Sequence, residues 1–95
     1  MAKKSNKINN YLRLYRRKNG LSQKNIAYLM GFKTTTSISN YERGNKLPQL
    51  VNLLKLEIVY RTPIAFLFKD HLDQLKKEIR EKEKSLKRRS RNKRT

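Results

Sequence analysis

The sequence predicts an all-α protein in which a five-helix domain is followed by a basic helical extension. Apolar residues recur at intervals of three and four, and no segment alternates with period two. Glycine, proline and N-cap residues divide the chain into short helical segments. The apolar residues are concentrated between Ile8 and Phe68. This distribution predicts a basic arm at 1–7, a domain at 8–68 and a charged extension at 69–95.

The first two helices are predicted from their apolar spacing and their ends. The first has an apolar stripe composed of Ile8, Tyr11, Leu12 and Tyr15. Asn19 and Gly20 end it, and Ser22 is a favourable N-cap for a second helix that stops at Gly31. The buried side of the second helix is predicted to be Ile26, Ala27, Leu29 and Met30.

A third helix is predicted between the threonines that begin at Thr34 and the helix-ending Gly44. The threonine hydroxyls are expected to cap its start, and Ile38 and Tyr41 are expected to face the core because they stand three apart. Its sequence is unusual, because Thr, Ser and Asn compete for backbone hydrogen bonds and are poor helix formers. A short helix built from such residues must be held by its neighbours.

The fourth and fifth helices are each preceded by a proline. Leu47-Pro48 is predicted to start the fourth, since proline is favoured in the first helical position. The apolar residues of the fourth helix are Leu50, Leu53, Leu54, Leu56 and Ile58. Thr62-Pro63 repeats the signal for a fifth helix, whose residues are Ile64, Ala65, Phe66, Leu67 and Phe68.

Charge points to the partner of this chain. The 25 Lys and Arg outnumber the seven Asp and Glu, which gives a formal net charge of +18. Such an excess predicts binding to a polyanion. No apolar run reaches the length of a membrane span, and the N-terminus lacks the apolar core of a signal peptide, so we expect no membrane association and a cytoplasmic location.

Catalysis is not expected. The chain has no cysteine and one histidine, His71, and most of its acidic residues lie among lysines in the extension. There is neither a phosphate-cradling glycine loop nor a nucleophile with a base. We therefore predict that the protein is not an enzyme and has no cofactor and no metal site.

Two short helices joined by a tight turn at Gly31 define a helix-turn-helix, whose second helix lies in the DNA major groove. This motif explains the polar third helix. Short hydroxyls can contact several base edges, threonine methyls can meet the thymine methyl, and asparagine suits adenine. Long solvated charges on the same face would hinder that contact.

The stretch "GLSQKNIAYLMGF…SISNYERGNKLPQLVNLLKL" resembles the phage repressor and Cro family of XRE-like helix-turn-helix regulators. The resemblance covers about Ile8 to Phe68, and it implies binding to double-stranded DNA. Its marks are the Leu21-Ser22-Gln23 opening, Ala27, Gly31, the Glu42-x-Gly44 helix end and Pro48.

The resemblance also implies roles for individual residues. Gln23 would contact a DNA phosphate and brace the recognition helix, and Arg16 and Glu42 would form an internal ion pair. The DNA-binding set is Gln23, Thr34, Thr35, Thr36, Ser37, Ser39, Asn40, Arg43, Asn45 and Lys46. The interval from Ala27 to Ile38 is one residue longer than is usual in the family. The recognition helix could therefore begin at any of the three threonines, Thr34 to Thr36.

The extension after Phe68 admits more than one structure. Leu72, Leu75, Ile79 and Leu86 occupy a, d, a and a of a heptad, while Lys82 occupies the second d. A coiled coil, a partner-binding segment and a solvated helix all remain open. Beyond Lys87 the sequence predicts a disordered basic arm for nucleic acid. The candidates for a dimer interface are Ile64, Phe66, Leu67 and Phe68.

These features favour a sequence-specific DNA-binding regulator of bacterial or phage type, associated with the nucleoid and acting as a homodimeric repressor. One alternative is an antitoxin-like protein whose residues 70–95 bind a partner protein. A second is an RNA-associated basic protein, although the polar face of the third helix would then have no purpose.

Overall fold

The structure is a computed structural model that describes residues 7–92, with side chains as far as Arg89. Across the described residues every regular element is a helix, which confirms the all-α prediction. The helices are α1 (Leu12–Lys18), α2 (Gln23–Met30), α3 (Thr36–Glu42), α4 (Leu50–Tyr60), α5 (Ile64–Leu67) and α6 (Lys69–Asn92). The basic arm predicted at 1–7 lies outside the described residues except for its last position.

The first five helices share one core. Each contributes an aliphatic side chain that is 0–1% exposed: Leu12, Ile26, Ile38, Leu56 and Leu67. Full burial of such a side chain stabilises the fold by roughly 1.5–3 kcal/mol. Ile38 and Tyr41 are both buried, as predicted, so α3 is held in place by packing despite its poor helix formers.

Helix α1 begins at Leu12, four residues later than predicted from Ile8. The preceding segment instead makes tertiary hydrogen bonds with the end of α3. The Ile8 backbone N–H donates to the Gly44 carbonyl at 3.0 Å, and the Asn10 amide donates to the Tyr41 carbonyl at 2.9 Å. The Asn10 side-chain oxygen also accepts the Leu12 N–H. These bonds satisfy groups that a longer helix would use internally.

The bounds of α2 agree with its sequence signals. Ser22 is the N-cap and forms a reciprocal capping box with Asn25, and Gly31 ends the helix in the left-handed conformation. The buried side is Ile26, Ala27 and Met30. The prediction for Leu29 was wrong, because this side chain is 54% exposed.

The helices predicted to begin at Leu47-Pro48 and at Thr62-Pro63 both begin later in the structure than predicted. Helix α4 starts at Leu50, because the backbone of Gln49 is extended and Pro48 therefore precedes the N-cap. Pro63 is itself the N-cap of α5, and the Thr62 hydroxyl donates to the Tyr60 carbonyl. The free N–H at the start of α5 is satisfied by the Glu57 carboxylate, which accepts from Ile64 at 3.1 Å.

Apolar residues of α4 and α5 were predicted less well than the helices that carry them. On α4, Leu56 is buried, whereas Leu50, Leu54 and Ile58 are 53–73% exposed. Two of the proposed dimer-interface residues, Leu67 and Phe68, lie in the core of the single chain, at 0% and 7% exposure. Leu67 is therefore removed from the interface candidates, because it packs entirely within the chain. Phe68 packs mainly within the chain and exposes only a small part of its surface, while Ile64 is half-buried and Phe66 is 55% exposed.

Helix α6 extends away from the domain. It has 24 residues, so it is about 36 Å long, and the chain spans 60 × 36 × 22 Å. The predicted disorder beyond Lys87 was wrong as far as Asn92, where the helix ends. Lysine and arginine are good helix formers, which favours this continuation. Residues 93–95 lie outside the described part.

Gly44→Ala should destabilise the protein more than Gly20→Ala. Both glycines have positive φ, +77° and +71°, where an alanine costs about 1–2 kcal/mol. A Cβ on Gly44 would also lie 2.5 Å from the Ile8 carbonyl oxygen, whereas nothing lies within 4 Å of one on Gly20. Urea unfolding of the two variants measures the difference. Equal losses would show that the contact between Ile8 and Gly44 does not constrain the backbone.

Candidate nucleic-acid interface

Helices α2 and α3 form the helix-turn-helix unit. The turn between them runs from Gly31 to Thr35. Within it, the Phe32 ring packs edge-to-face on Tyr41, with ring centroids 6.5 Å apart. The Tyr41 hydroxyl in turn accepts from the Asn52 amide at 3.1 Å, which ties α3 to α4. The second helix of the unit is therefore anchored from its inner face on both sides.

The outer face of α3 carries short polar side chains without partners in the protein. Among the described residues, the side chains of Thr36, Ser37, Ser39 and Asn40 make no hydrogen bond to the rest of the chain. Thr36 is exposed, and the other three are partly exposed. Their donors and acceptors are thus available to an external ligand on one side of a rigid helix.

The structure places the helix start at Thr36, with Thr35 as the N-cap residue. Thr35 makes no side-chain capping bond, contrary to expectation. The Thr34 hydroxyl oxygen instead accepts the Thr36 N–H at 3.3 Å. Thr34 therefore serves the start of the helix from the turn.

Arg16 and Glu42 form a buried ion pair between α1 and the end of α3. Their side chains are 11% and 4% exposed. The Arg16 Nε and Nη2 groups donate to the two oxygens of Glu42, and Nη1 donates to the Leu21 carbonyl. The hydrogen bond to Glu42 raises the pKa of Arg16 further above its ordinary value. The pair fixes the orientation of α3 relative to α1.

Gln23 extends this network to α2. Its Nε2 donates to the Glu42 Oε1 at 3.0 Å, so one carboxylate receives hydrogen bonds from two helices. The second amide hydrogen and the amide oxygen of Gln23 remain available. The side chain thus braces the recognition helix and can still contact a ligand at the start of α2.

A polar cleft of about 380 Å³ opens above the ion pair. Its walls are Arg13, Arg16, Gln23, Ser39, Glu42 and Arg43. Arg16 and Glu42 neutralise one another at the floor, while the rim carries two exposed guanidinium groups, Arg13 and Arg43. Planar guanidinium groups suit phosphate oxygens. The cleft therefore favours an anionic ligand beside the outer face of α3.

Sequence reasoning included Arg43 in the interface and missed Arg13. The spacing signal was present, because Arg13 precedes Arg16 by three residues and so lies on the same face of α1. The remaining predicted residues, Asn45 and Lys46, are exposed in the loop after α3. Their backbone N–H groups donate to the Asn40 carbonyl, which keeps this loop close to the helix end.

Comparison with known proteins agrees with this architecture. Residues 12–67 match the family model described as Helix-turn-helix. Among solved structures, the chain is similar to the restriction-modification controller protein C.AhdI from Aeromonas hydrophila. The identity is 37% and the TM-score is 0.54, over 60% of this chain and 85% of that chain. Among the curated proteins, none matches this chain.

The fold and the free polar face of α3 define a DNA-binding helix-turn-helix protein. The chain belongs to the Helix-turn-helix family, in the XRE type, and is a sequence-specific DNA-binding transcriptional regulator. Members of this family are regulators and not enzymes, which confirms the prediction on catalysis. Across residues 7–92, no helix combines the length and apolarity needed to cross a membrane.

Proposed function

We propose that this regulator is a repressor that acts as a homodimer on a two-fold-symmetric operator in the cytoplasm, on the nucleoid. The observation that supports it most strongly is the outer face of α3. Four side chains there have no hydrogen-bond partner among the described residues, although the helix beneath them is anchored by Ile38, Tyr41 and Glu42. Bound at a promoter, such a protein excludes the polymerase by occupying its site.

Base contacts are assigned to the middle of α3. Asn40 can make a bidentate contact with adenine, and Ser37 and Ser39 can donate to or accept from several base edges. The exposed methyl of Thr36 can meet a thymine methyl. Thr34 and Thr35 precede these residues in the turn and are assigned to the edge of the groove.

Phosphate contacts are assigned to the groups that surround these residues. Arg13 and Arg43 at the rim of the cleft would bind DNA phosphates on one side of the major groove. The second side-chain amide N–H of Gln23 would bind a phosphate there too. Asn45 and Lys46, in the loop that follows Arg43 at the C-terminal end of α3, would bind the DNA backbone as well. Such contacts set the position of the helix on the duplex, and carry no sequence information themselves.

Dimerisation is supported by exposed apolar surface. A single domain of this size reads only a few base pairs, and helix-turn-helix proteins commonly pair to read two half-sites. Two apolar surfaces are available for a second copy. One is the outer side of α4, with Leu50, Leu54 and Ile58, and the other runs along α6. Phe66 is a further exposed candidate on α5.

Selection of bound duplexes from a random DNA pool tests the proposal. We expect enrichment of a single motif with two-fold symmetry, and higher expression of a reporter gene behind that motif when the protein is removed. Enrichment without symmetry would contradict the homodimer. Retention of all sequences alike, or equal retention of structured RNA, would contradict sequence-specific DNA binding and favour the RNA-associated alternative.

Asn40→Ala should relax specificity at one base pair of the selected motif and weaken binding by about 1–3 kcal/mol, because a bidentate base contact is lost. Binding to random duplex should change little. Asn19→Ala makes the same chemical change at the end of α1 and serves as the control. Equal affinities of wild type and Asn40→Ala for the motif would remove Asn40 from the base contacts.

A further inference from the structure

An apolar groove lies where α6 leaves the domain. It has a volume of about 290 Å³ and is lined by Leu47, Leu53, Ile64, Ala65, Phe68, His71, Leu72 and Leu75. Of these residues only His71 is polar. The groove lies outside the α2–turn–α3 unit, so DNA recognition through α3 leaves it uncovered.

The groove continues into an apolar stripe on α6. Leu72 and Leu75 belong to both, and Ile79 and Leu86 follow at heptad spacing. Leu75, Ile79 and Leu86 are 44%, 56% and 64% exposed, so these residues of the stripe are not covered by the described part of the chain. An exposed apolar seam on a long helix, continued by an adjoining groove, is suited to packing against a second helix.

The charge of α6 is divided sharply along its length. Residues 69–83 contain five basic and five acidic side chains, whereas residues 84–94 contain seven basic side chains and no acid. Two copies packed in parallel would place both basic runs side by side. Two antiparallel copies would instead keep the basic runs at opposite ends of the pair and bring Lys84 of one copy beside Asp70 of the other. The charge pattern therefore favours a second α6 in antiparallel orientation.

The apolar spacing specifies a register for this pair. If Leu75 of one copy faces Ile79 of the other, the residue numbers of every facing pair in this antiparallel arrangement add up to 154. Lys82 then faces Leu72, along which its aliphatic stem can lie. Leu86 faces Phe68, one of the residues that line the groove. One register thus covers the stripe and fills the groove in both copies, as an isologous two-fold contact requires.

We propose that two copies of this chain pair through antiparallel α6 helices, each inserting Leu86 into the groove of the other. The inference rests on the homodimer proposed above and assigns it an interface. The family match ends at residue 67, so α6 belongs to the extension that follows the matched domain, whereas part of the groove is lined by residues of that domain.

Cross-linking tests the orientation, because the native chain contains no cysteine. Two full-length variants of different tag length, Leu75→Cys and Ile79→Cys, are mixed and oxidised. We expect a mixed disulfide-linked dimer at several-fold higher yield than either homodimer, and no homodimer from Leu86→Cys alone. Efficient cross-linking of Leu86→Cys with itself would show a parallel pair and overturn the proposal.

Sedimentation of two leucine-to-glutamine variants, which leave the charge unchanged, tests which apolar surface forms the dimer interface. Leu86→Gln is expected to weaken dimerisation at least tenfold, whereas Leu54→Gln on α4 should leave it unchanged. Both variants should retain their helical content in circular dichroism. The reverse result would overturn the α6 interface and leave the homodimer standing. A monomeric wild type that still selects one DNA motif would overturn both dimer proposals, and leave DNA recognition intact.

Discussion

Glu42→Ala is expected to lower the free energy of unfolding by about 3–5 kcal/mol, the cost of breaking a buried ion pair from one side. The variant removes the acceptor of three hydrogen bonds, two from Arg16 and one from Gln23. It leaves the Arg16 side chain, which is 11% exposed in the native structure, without its counter-charge. The loss should also loosen α3, so specific DNA binding should weaken together with stability.

A double-mutant cycle with Arg16→Ala separates the pair from its surroundings. We expect the losses of unfolding free energy in the two single variants to add up to more than the loss in the double variant, because removing both charges leaves neither buried without its partner. Glu57→Ala is the matched control. That carboxylate is exposed and accepts one N–H at the start of α5, so its loss should cost roughly 0.5–2 kcal/mol. Strict additivity of Arg16→Ala and Glu42→Ala would refute the coupling.

The middle of the domain was predictable because its signals are local. The capping box at Ser22 and the left-handed Gly31 determine α2 within a few residues of sequence. The three-residue spacing of Ile38 and Tyr41 likewise identified the inner face of α3. In these cases local propensity, periodicity and packing agree, so the sequence was sufficient.

The helix starts of α1, α4 and α5 were less predictable because groups distant in sequence determine them. Asn10 bonds to the end of α3, more than thirty residues away, and ties the segment before α1 to that helix. The Glu57 carboxylate, seven residues earlier in the chain, accepts the N–H of Ile64 at the start of α5. A proline near a helix start fixes its own φ angle. This does not decide whether the proline is the N-cap, the first helical residue or the residue before the N-cap.

The sequence predicted which side-chain types the candidate interface contains better than it predicted which helices contribute to it. The residue types, with the spacing of Ile38 and Tyr41, predicted a short polar face on α3, and the structure has these side chains exposed or partly exposed. The spacing of Arg13 and Arg16 was a signal for Arg13, but the cleft could not be identified, because its walls come from α1, α2 and α3. A surface assembled from three helices has no continuous signature in the sequence.

The basic end of the chain should contribute strongly to affinity without contributing to specificity. Arg91, Lys93 and Arg94 carry three positive charges with no acid after Glu83. Each phosphate that such a charge neutralises adds about −0.9 to the slope of log affinity against log salt concentration. Changing all three residues to glutamine should therefore make that slope shallower by up to about 2.7, while leaving Leu86 and the α6 stripe unaltered.

The measurement is a salt titration of binding to the selected motif and to random duplex. Between 50 and 200 mM salt, wild type should lose up to about 40-fold more affinity than the variant, on both duplexes alike. The control changes Lys76, Lys77 and Arg80 to glutamine, which removes the same charge from the half of α6 that also holds five acids. Its slope should change much less, because those basic groups are offset by neighbouring carboxylates. An unaltered slope in the first variant would show that the end of the chain does not contact DNA. It would leave this segment to a partner protein, as the antitoxin-like alternative expects.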